Sequence, residues 1–250
     1  MNLYETQNLL DQYLLFHYGS NSEINPFGIF NISHLNFPVR TVHENIDGSV
    51  NLHRALDLGC SVGRSAFELS AFCDEVIAID NSKLFIESAD QLRLNSNLSY
   101  QIHKEGNDFI DAVAKRPEPA RPERIKFEVG DALELPKDIG TFDVIHAANL
   151  ICRLPDPDRL LLRLPNLLKK GGRLIITTPC TWLGEFTKPE KWPKHSTIEW
   201  LQDTFSNELS LIEVKDMPFV ILEHYRKFQY SLAQASVWLK KDNYCDLRSY

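Results

Sequence analysis

Apolar and polar positions follow two rhythms along this chain. Leu3, Leu9, Leu10, Tyr13, Leu14 and His17 recur on a broadly helical period, which predicts an amphipathic N-terminal helix over residues 3–17 ending at Gly19-Ser20-Asn21. Residues 20–50 are rich in Asn, Pro, Gly and Ser and read as an irregular connection that folds over the domain C-terminal to it. From residue 54 apolar runs and helical stretches take turns. Arg54–Leu58 predicts a strand and Arg64–Phe72 its helix. Glu75–Asp80, apolar without alternation, predicts a strand buried on both faces. Ser82 then caps a helix running to about Leu94. Lys115–Glu123, with three prolines, reads as a surface loop. Ile125–Val129, Phe142–Ala147 and Arg173–Thr177 predict three more strands. A helix around Arg159–Lys169 separates the last two, and Pro165 should kink or split it. After the amphipathic segment Ser196–Phe205, Leu209–Val214 and Ala235–Leu239 are late strand candidates.

Repeated strand–helix units predict an α/β fold, a doubly wound and mostly parallel sheet with helices on both faces and ligands at the carboxyl ends of its strands. The expected division is an N-terminal helical cap over 1–50, the α/β domain over 51–240 and a tail over 241–250. A length of 250 residues suits one α/β domain with an appendage, or at most two small domains, and 43% hydrophobic residues suffice for a full core. The net charge of -7 disfavours a nucleic-acid substrate, which needs a basic face. Five cysteines, Cys60, Cys73, Cys152, Cys180 and Cys245, are dispersed without metal-ligand spacing, so reduced thiols and no bound metal are expected. Met1–Glu5 lacks the basic and apolar regions of a signal peptide, and no apolar run reaches the ~18 residues of a membrane span. These features lead us to expect a cytoplasmic protein with no membrane or nucleic-acid partner. Its oligomeric state is left open.

The chemistry concentrates at Ala55-Leu56-Asp57-Leu58-Gly59-Cys60-Ser61-Val62-Gly63-Arg64-Ser65. An apolar strand, an acidic residue and two glycines four apart describe either a tight strand–helix turn or a nucleotide-binding one. The order Asp-Leu-Gly-Cys-x-x-Gly resembles the first motif of class I S-adenosylmethionine-dependent methyltransferases, with Ser61 standing where many of them carry a middle glycine. The resemblance implies a Rossmann-like, seven-stranded sheet with an antiparallel strand near the C-terminus. It also implies that Gly59 and Gly63 let the backbone approach the cofactor, and that Asp57 receives the amino group of its methionine moiety. Asp80, roughly 20 residues beyond the turn, is placed to accept both ribose hydroxyls, or else simply caps the next helix. Gly130-Asp131-Ala132 offers a carboxylate for the adenine amino group, although Gly-Asp by itself is only a turn signal. Cys60, Ser61, Asn81 and Ala132 flank these positions and join the expected cofactor set. Phe142–Leu150 and Leu168–Ile176 resemble the fourth motif and the Gly-Gly strand element that comes after it.

The flanking segments are more specific. Tyr4-Glu5-Thr6, Tyr13–Gly19, Ala148–Pro155, Thr178–Thr187 and Arg226–Ser231 resemble the ovothiol-biosynthesis methyltransferases, which methylate an imidazole nitrogen of 5-thiohistidine. The resemblance runs from about Tyr4 to Trp238, and in many relatives the module is fused to an iron-dependent sulfoxide synthase. A stand-alone form coupled functionally to a separate synthase is therefore implied, with S-adenosylmethionine converted to S-adenosylhomocysteine.

A deprotonated substrate thiol would offset charge left on the ring, so a group that orients the ring is more useful than a strong base. Asn149, His146 and Glu185 are the candidates, and His146 is equally well read as a satisfied core histidine. Arg153 and Arg226 either pair with an amino-acid carboxylate or make ordinary surface ion pairs. Phe16, His17 and Tyr18 either cover the site or dock a helix end on the core; Trp182 either stacks on the acceptor or fills the core. Two rival functions remain at this point. One is methyl transfer to another small amine, acid or thiol; the other is a catalytically silent cofactor-binding module acting through a partner.

Overall fold

The computed structural model describes residues 4–46 and 52–242. The N-terminal helix is α1, Gln7–Tyr18, and the Thr6 side chain accepts from the Leu9 amide at its start. Residues 20–46 are more regular than their composition predicts. Ser20 and Glu23 cap each other reciprocally to start α2, Asn21–Ile24. Pro38, in the first turn where no N–H is needed, helps open α3, Phe37–His43. The expected boundary at residues 50 and 51 and nearly all of the tail lie outside the described residues.

The α/β region begins with β1, Leu52–Leu58, then α4, Arg64–Leu69, β2, Cys73–Asp80, and α5, Lys83–Asn95, capped by Ser82 as expected. Next comes a hairpin outside the predicted elements: β3, Asn97–Glu105, and β4, Asp108–Lys115, form a separate two-stranded sheet. Its inward residues Tyr100, Ile102, Ala112 and Ala114 alternate and pack under α1 and α5. The chain continues through β5, Ile125–Val129, and β6, Phe142–Ala148. Pro165 splits the next helix into α6, Pro157–Leu161, and α7, Leu164–Leu167. Last come β7, Leu168–Thr178, α8, Thr197–Phe205, β8, Leu209–His224, and β9, Lys227–Lys240. The two late strands are far longer than their apolar cores predict, because they pair in register almost from end to end. Pro218 is tolerated within β8 because that strand lies at the edge of the sheet.

Seven strands form the main sheet in the order β5-β2-β1-β6-β7-β9-β8, and only β9 runs against its neighbours. Alternate residues go to opposite faces. Ala55, Val144 and Ile175 join a core with Leu14, Val42, Phe67 and Phe85, whereas Leu56, Leu58, Ile145 and Ile176 join one with Leu161, Phe205 and Trp238. The strand order reverses between β1 and β6, so a cleft opens at their carboxyl ends. The N-terminal helices α1 and α3 lie against β8 and the strands beside this cleft.

Candidate active site

The turn after β1 is held by its own backbone. Gly59 sits at φ +69° and donates its amide to Ile79 O at 2.8 Å. A Cβ there would lie 3.0 Å from Leu150 Cδ1, across the cavity wall. Ser61 takes φ +52°, a left-handed conformation that explains why glycine is usual at this position. Its amide donates to Asp80 Oδ2 at 2.9 Å, while its hydroxyl is buried without a partner. The Cys60 thiol lines the same wall; burial pushes its pKa well up, helped by the charges of Asp80 and Asp57, so it stays a neutral thiol. Gly63 has another role than the one expected. At φ +87° it faces away from the cavity, and a Cβ would meet Phe127 Cζ at 2.7 Å and Ala89 Cβ at 2.9 Å. Close packing of α4 demands this glycine.

Asp80 accepts from the Ser61 and Ser82 amides, one on each carboxylate oxygen, both at 2.9 Å. Burial raises its pKa, opposed by these backbone bonds. The carboxylate has capacity for further bonds, and Asp80 lines the cavity. Asn81, Gly130, Asp131 and Ala132 continue the wall. Asp131 Oδ1 accepts from the Leu133 amide at 2.8 Å.

Asp57 and His146 are register partners on neighbouring parallel strands, so their side chains share a face. Asp57 Oδ1 lies 2.7 Å from His146 Nδ1, and Ser65 Oγ donates to Asp57 Oδ2 at 2.6 Å. His146 Nε2 meets Thr41 Oγ1 of α3 at 3.0 Å. Neither Asp57 nor His146 lines the cavity; both are buried behind it. Asp57 has one protein partner on each oxygen, and of the two readings of His146 the structure shows the satisfied core histidine.

The remaining wall comes from the N-terminal helices and β8: Tyr4, Tyr13, Phe16, His17, Phe37, Pro38, Thr41 and Ile221. Of these, the sequence points to Phe16 and His17 alone. Ile221 lies beyond the expected end of its strand, and the Phe-Pro start of α3 falls within the segment expected to be irregular. Tyr18 is not in the wall. Its hydroxyl donates to Val62 O at 2.6 Å and braces the glycine turn from behind. His17 is 9% exposed and its Nδ1 has no hydrogen-bond partner. A buried polar atom left unpaired costs about 1–3 kcal/mol. Burial, and then the Arg64 charge, push the His17 pKa down to about 3, so the ring is neutral.

At the end of β6, Asn149 adopts φ +54°, and its Oδ1 accepts from Thr177 Oγ1 at 3.3 Å. Arg153 lines the cavity and donates to Cys152 O and Thr181 O at 3.3 and 3.2 Å, its guanidinium 4.8 Å from the Phe186 ring centre. No carboxylate among the described residues forms an ion pair with it. Three expected site residues lie elsewhere. Glu185 is exposed on the loop after β7. Trp182 packs edge-on against Trp200 at 5.7 Å and donates to Thr197 Oγ1 at 3.2 Å, its core-filling alternative. Arg226 is exposed at the β8–β9 turn, 5.9 Å from the Phe27 ring.

The cavity opens to solvent at the carboxyl ends of β1, β2 and β6, with polar groups of the glycine turn on one side and aromatic side chains of α1 and α3 on the other. The unpartnered Ser61 hydroxyl, the absence of a side chain at Gly59 and the carboxylates of Asp80 and Asp131 fit a polar nucleoside. Among the described residues no group of three or more His, Cys, Asp or Glu could hold a metal ion, and no helix is long and apolar enough to cross a membrane.

The fold and the cleft define a doubly wound α/β domain with a ligand-sized opening at its topological switch point. Residues 50–215 match the profile of a methyltransferase-domain family, and the chain belongs to that family, within the class I S-adenosylmethionine-dependent methyltransferases. Methyltransferase GfsG of Streptomyces halstedii is 27% identical over 54% of this chain and 40% of its own length. The ubiquinone biosynthesis O-methyltransferase of Coxiella burnetii is 26% identical over 62% of this chain and 55% of its own. The chain thus spans about half the length of these curated relatives. Among solved structures, the N-methyltransferase NodS of Bradyrhizobium japonicum bound to S-adenosyl-l-homocysteine superposes with a TM-score of 0.54 at 14% identity, covering 93% of this chain and 99% of that one. The [4+2]-cyclase SpnF superposes equally well, at 0.53 with 16% identity, over 81% of this chain and 79% of its own. Likeness of fold therefore does not choose the reaction.

Proposed function

We propose that this methyltransferase acts on a small aromatic amino acid, transferring the methyl to an imidazole ring nitrogen of 5-thiohistidine in ovothiol biosynthesis. The observation that carries the reading is the composition of the cavity wall. Tyr4, Tyr13, Phe16, His17 and Arg153 belong to the flanking segments that resemble ovothiol-biosynthesis enzymes, and all five line the same cavity as the glycine turn.

When bound, S-adenosylmethionine supplies an electrophilic methyl on a sulfonium sulfur. Asp80 accepts the ribose hydroxyls, and the second oxygen of Asp131 receives the adenine amino group. The Ser61 hydroxyl and the Gly59 backbone would hold the polar methionine end. Phe16, Phe37 and Ile221 exclude water from the acceptor side, where positioning provides most of the acceleration. Arg153, a cation in the wall without a carboxylate partner, pairs with the carboxylate of the amino-acid acceptor.

The test is turnover with methyl-labelled cofactor, comparing 5-thiohistidine with histidine. The expected product carries the new methyl on ring nitrogen and keeps its sulfur free to form a disulfide. A site that bonds the sulfur loses about 1–3 kcal/mol of recognition with histidine, roughly 5- to 150-fold. Equal turnover of histidine, or an S-methyl product, overturns the substrate assignment. Methylation of a hydroxyl acceptor would place the chain with its O-methyltransferase relatives instead.

A further inference from the structure

We propose that His17 fixes the acceptor's tautomer: its neutral ring accepts the N–H of a planar heteroaromatic acceptor, leaving the acceptor's opposite nitrogen with its lone pair. The inference rests on the reading that the acceptor is an imidazole, and gives that reading a specific recognition element.

Three observations converge on this residue. First, Nδ1 of His17 is buried without a hydrogen-bond partner in a residue that lines the cavity. Buried polar atoms are almost always satisfied, so an orphan in a residue of the cavity wall calls for a partner, which a ligand N–H can supply. Second, the ring's surroundings suit a flat aromatic guest. Tyr13 and Phe16 flank it at centroid distances of 5.9 and 5.4 Å, and Phe16 stacks on Phe37 at 6.2 Å with planes 24° apart. Third, the ring is held in a fixed place relative to the cofactor turn. Arg64 Nη1 donates to His17 O at 3.3 Å, and the neighbouring Tyr18 hydroxyl donates to Val62 O at 2.6 Å. The helix turn that carries His17 is thereby tied to both ends of the Val62–Arg64 segment.

The chemistry comes from the inventory of a neutral imidazole, which has one donor and one acceptor nitrogen. Burial and the Arg64 charge keep His17 in that form, so a lone pair is available at neutral pH. A neutral acceptor imidazole likewise has a single N–H. Once that N–H is given to His17, the other ring nitrogen is the only nucleophilic one. Selection between two exchanging tautomers then sets which nitrogen carries the methyl.

The test uses bare imidazole as the probe, with the protein saturated with S-adenosylhomocysteine. Titration of wild type, His17→Leu and His17→Gln is followed by calorimetry and by ¹⁵N shifts of labelled histidine. Wild type should bind imidazole with a shift of the His17 ring signals. His17→Leu should bind it at least tenfold more weakly while S-adenosylhomocysteine affinity changes less than twofold. His17→Gln, which keeps an acceptor oxygen, should recover part of the loss. Unchanged imidazole affinity in His17→Leu, no binding to wild type, or an equal loss of S-adenosylhomocysteine affinity overturns the proposal. Failure to turn over 5-thiohistidine would remove the substrate reading alone, because the imidazole titration judges His17 without it.

Discussion

Asp57 and His146, register partners on β1 and β6, meet at 2.7 Å behind the cavity. Their pairing is a consequence of strand geometry: in a parallel sheet, side chains at matched register stand side by side on one face. Ser65 and Thr41 complete the network at its two ends, and both contribute to the cavity wall. The four groups join the glycine turn, the sheet and α3 into one hydrogen-bonded unit.

Replacing His146 by Leu keeps the volume roughly constant but leaves a buried Asp57 oxygen without its partner, while the Thr41 hydroxyl keeps its bond to Pro38 O. Unfolding free energy should fall by at least about 1–3 kcal/mol in urea titrations. Binding of S-adenosylhomocysteine to the folded variant should change much less. A variant of wild-type stability with abolished turnover would instead make His146 a group that touches the substrate.

Gly63→Ala and Gly59→Ala should separate packing from ligand approach. At Gly63 the methyl meets Phe127 and Ala89 below 3.0 Å at φ +87°, so overpacking of about 1–3 kcal/mol adds to the left-handed penalty of about 1–2 kcal/mol. At Gly59 the nearest atom, Leu150 Cδ1 at 3.0 Å, is a flexible side chain, so the stability loss is smaller. Cofactor affinity should fall instead. Thermal unfolding and calorimetry on the two variants should therefore rank them in opposite orders.

Asp80→Asn exchanges one acceptor oxygen for a donor and costs one charge-assisted bond, about 1.5–3 kcal/mol, so S-adenosylhomocysteine should bind about 10- to 100-fold more weakly. Burial raises the Asp80 pKa above 3.8, so the ligand-free folded protein takes up this proton at a higher pH than the unfolded chain does. The ionised carboxylate therefore costs folding stability above the raised pKa, a cost relieved on acidification through it. Cofactor binding, which uses the ionised form, should weaken over that same window, above the ordinary aspartate range. Calorimetry across mildly acidic pH should show the decline in wild type and a flatter profile in Asp80→Asn.

Arg226→Ala and Glu185→Gln should leave kcat/KM within about twofold and stability within about 0.5 kcal/mol, as for exposed substitutions generally. A tenfold loss of kcat/KM in either variant would show that the loop after β7 or the β8–β9 turn reaches the acceptor.

Local chemistry in the sequence determined a great deal. The apolar runs of β1, β2, β5 and β6, the Ser82 cap, the break at Pro165 and the glycine turn are each set by residues close in the chain. The class of fold comes from their alternation. The cofactor side was legible for the same reason: Gly59, Ser61, Asp80 and Asp131 sit at strand ends, where position along the chain already fixes position at the cleft. Only the tertiary structure decided the rest. Whether Asp57 faces a ligand or a histidine depends on the register between strands 89 residues apart. Gly63 is set by the approach of Phe127 and Ala89. The aromatic wall of the cavity combines α1, α3 and the far half of β8, segments whose proximity no local period encodes. Arg226 and Glu185 carry plausible chemistry but lie on turns aimed elsewhere. Side-chain type is written in the sequence, whereas the direction in which a charge points is settled by packing between distant elements.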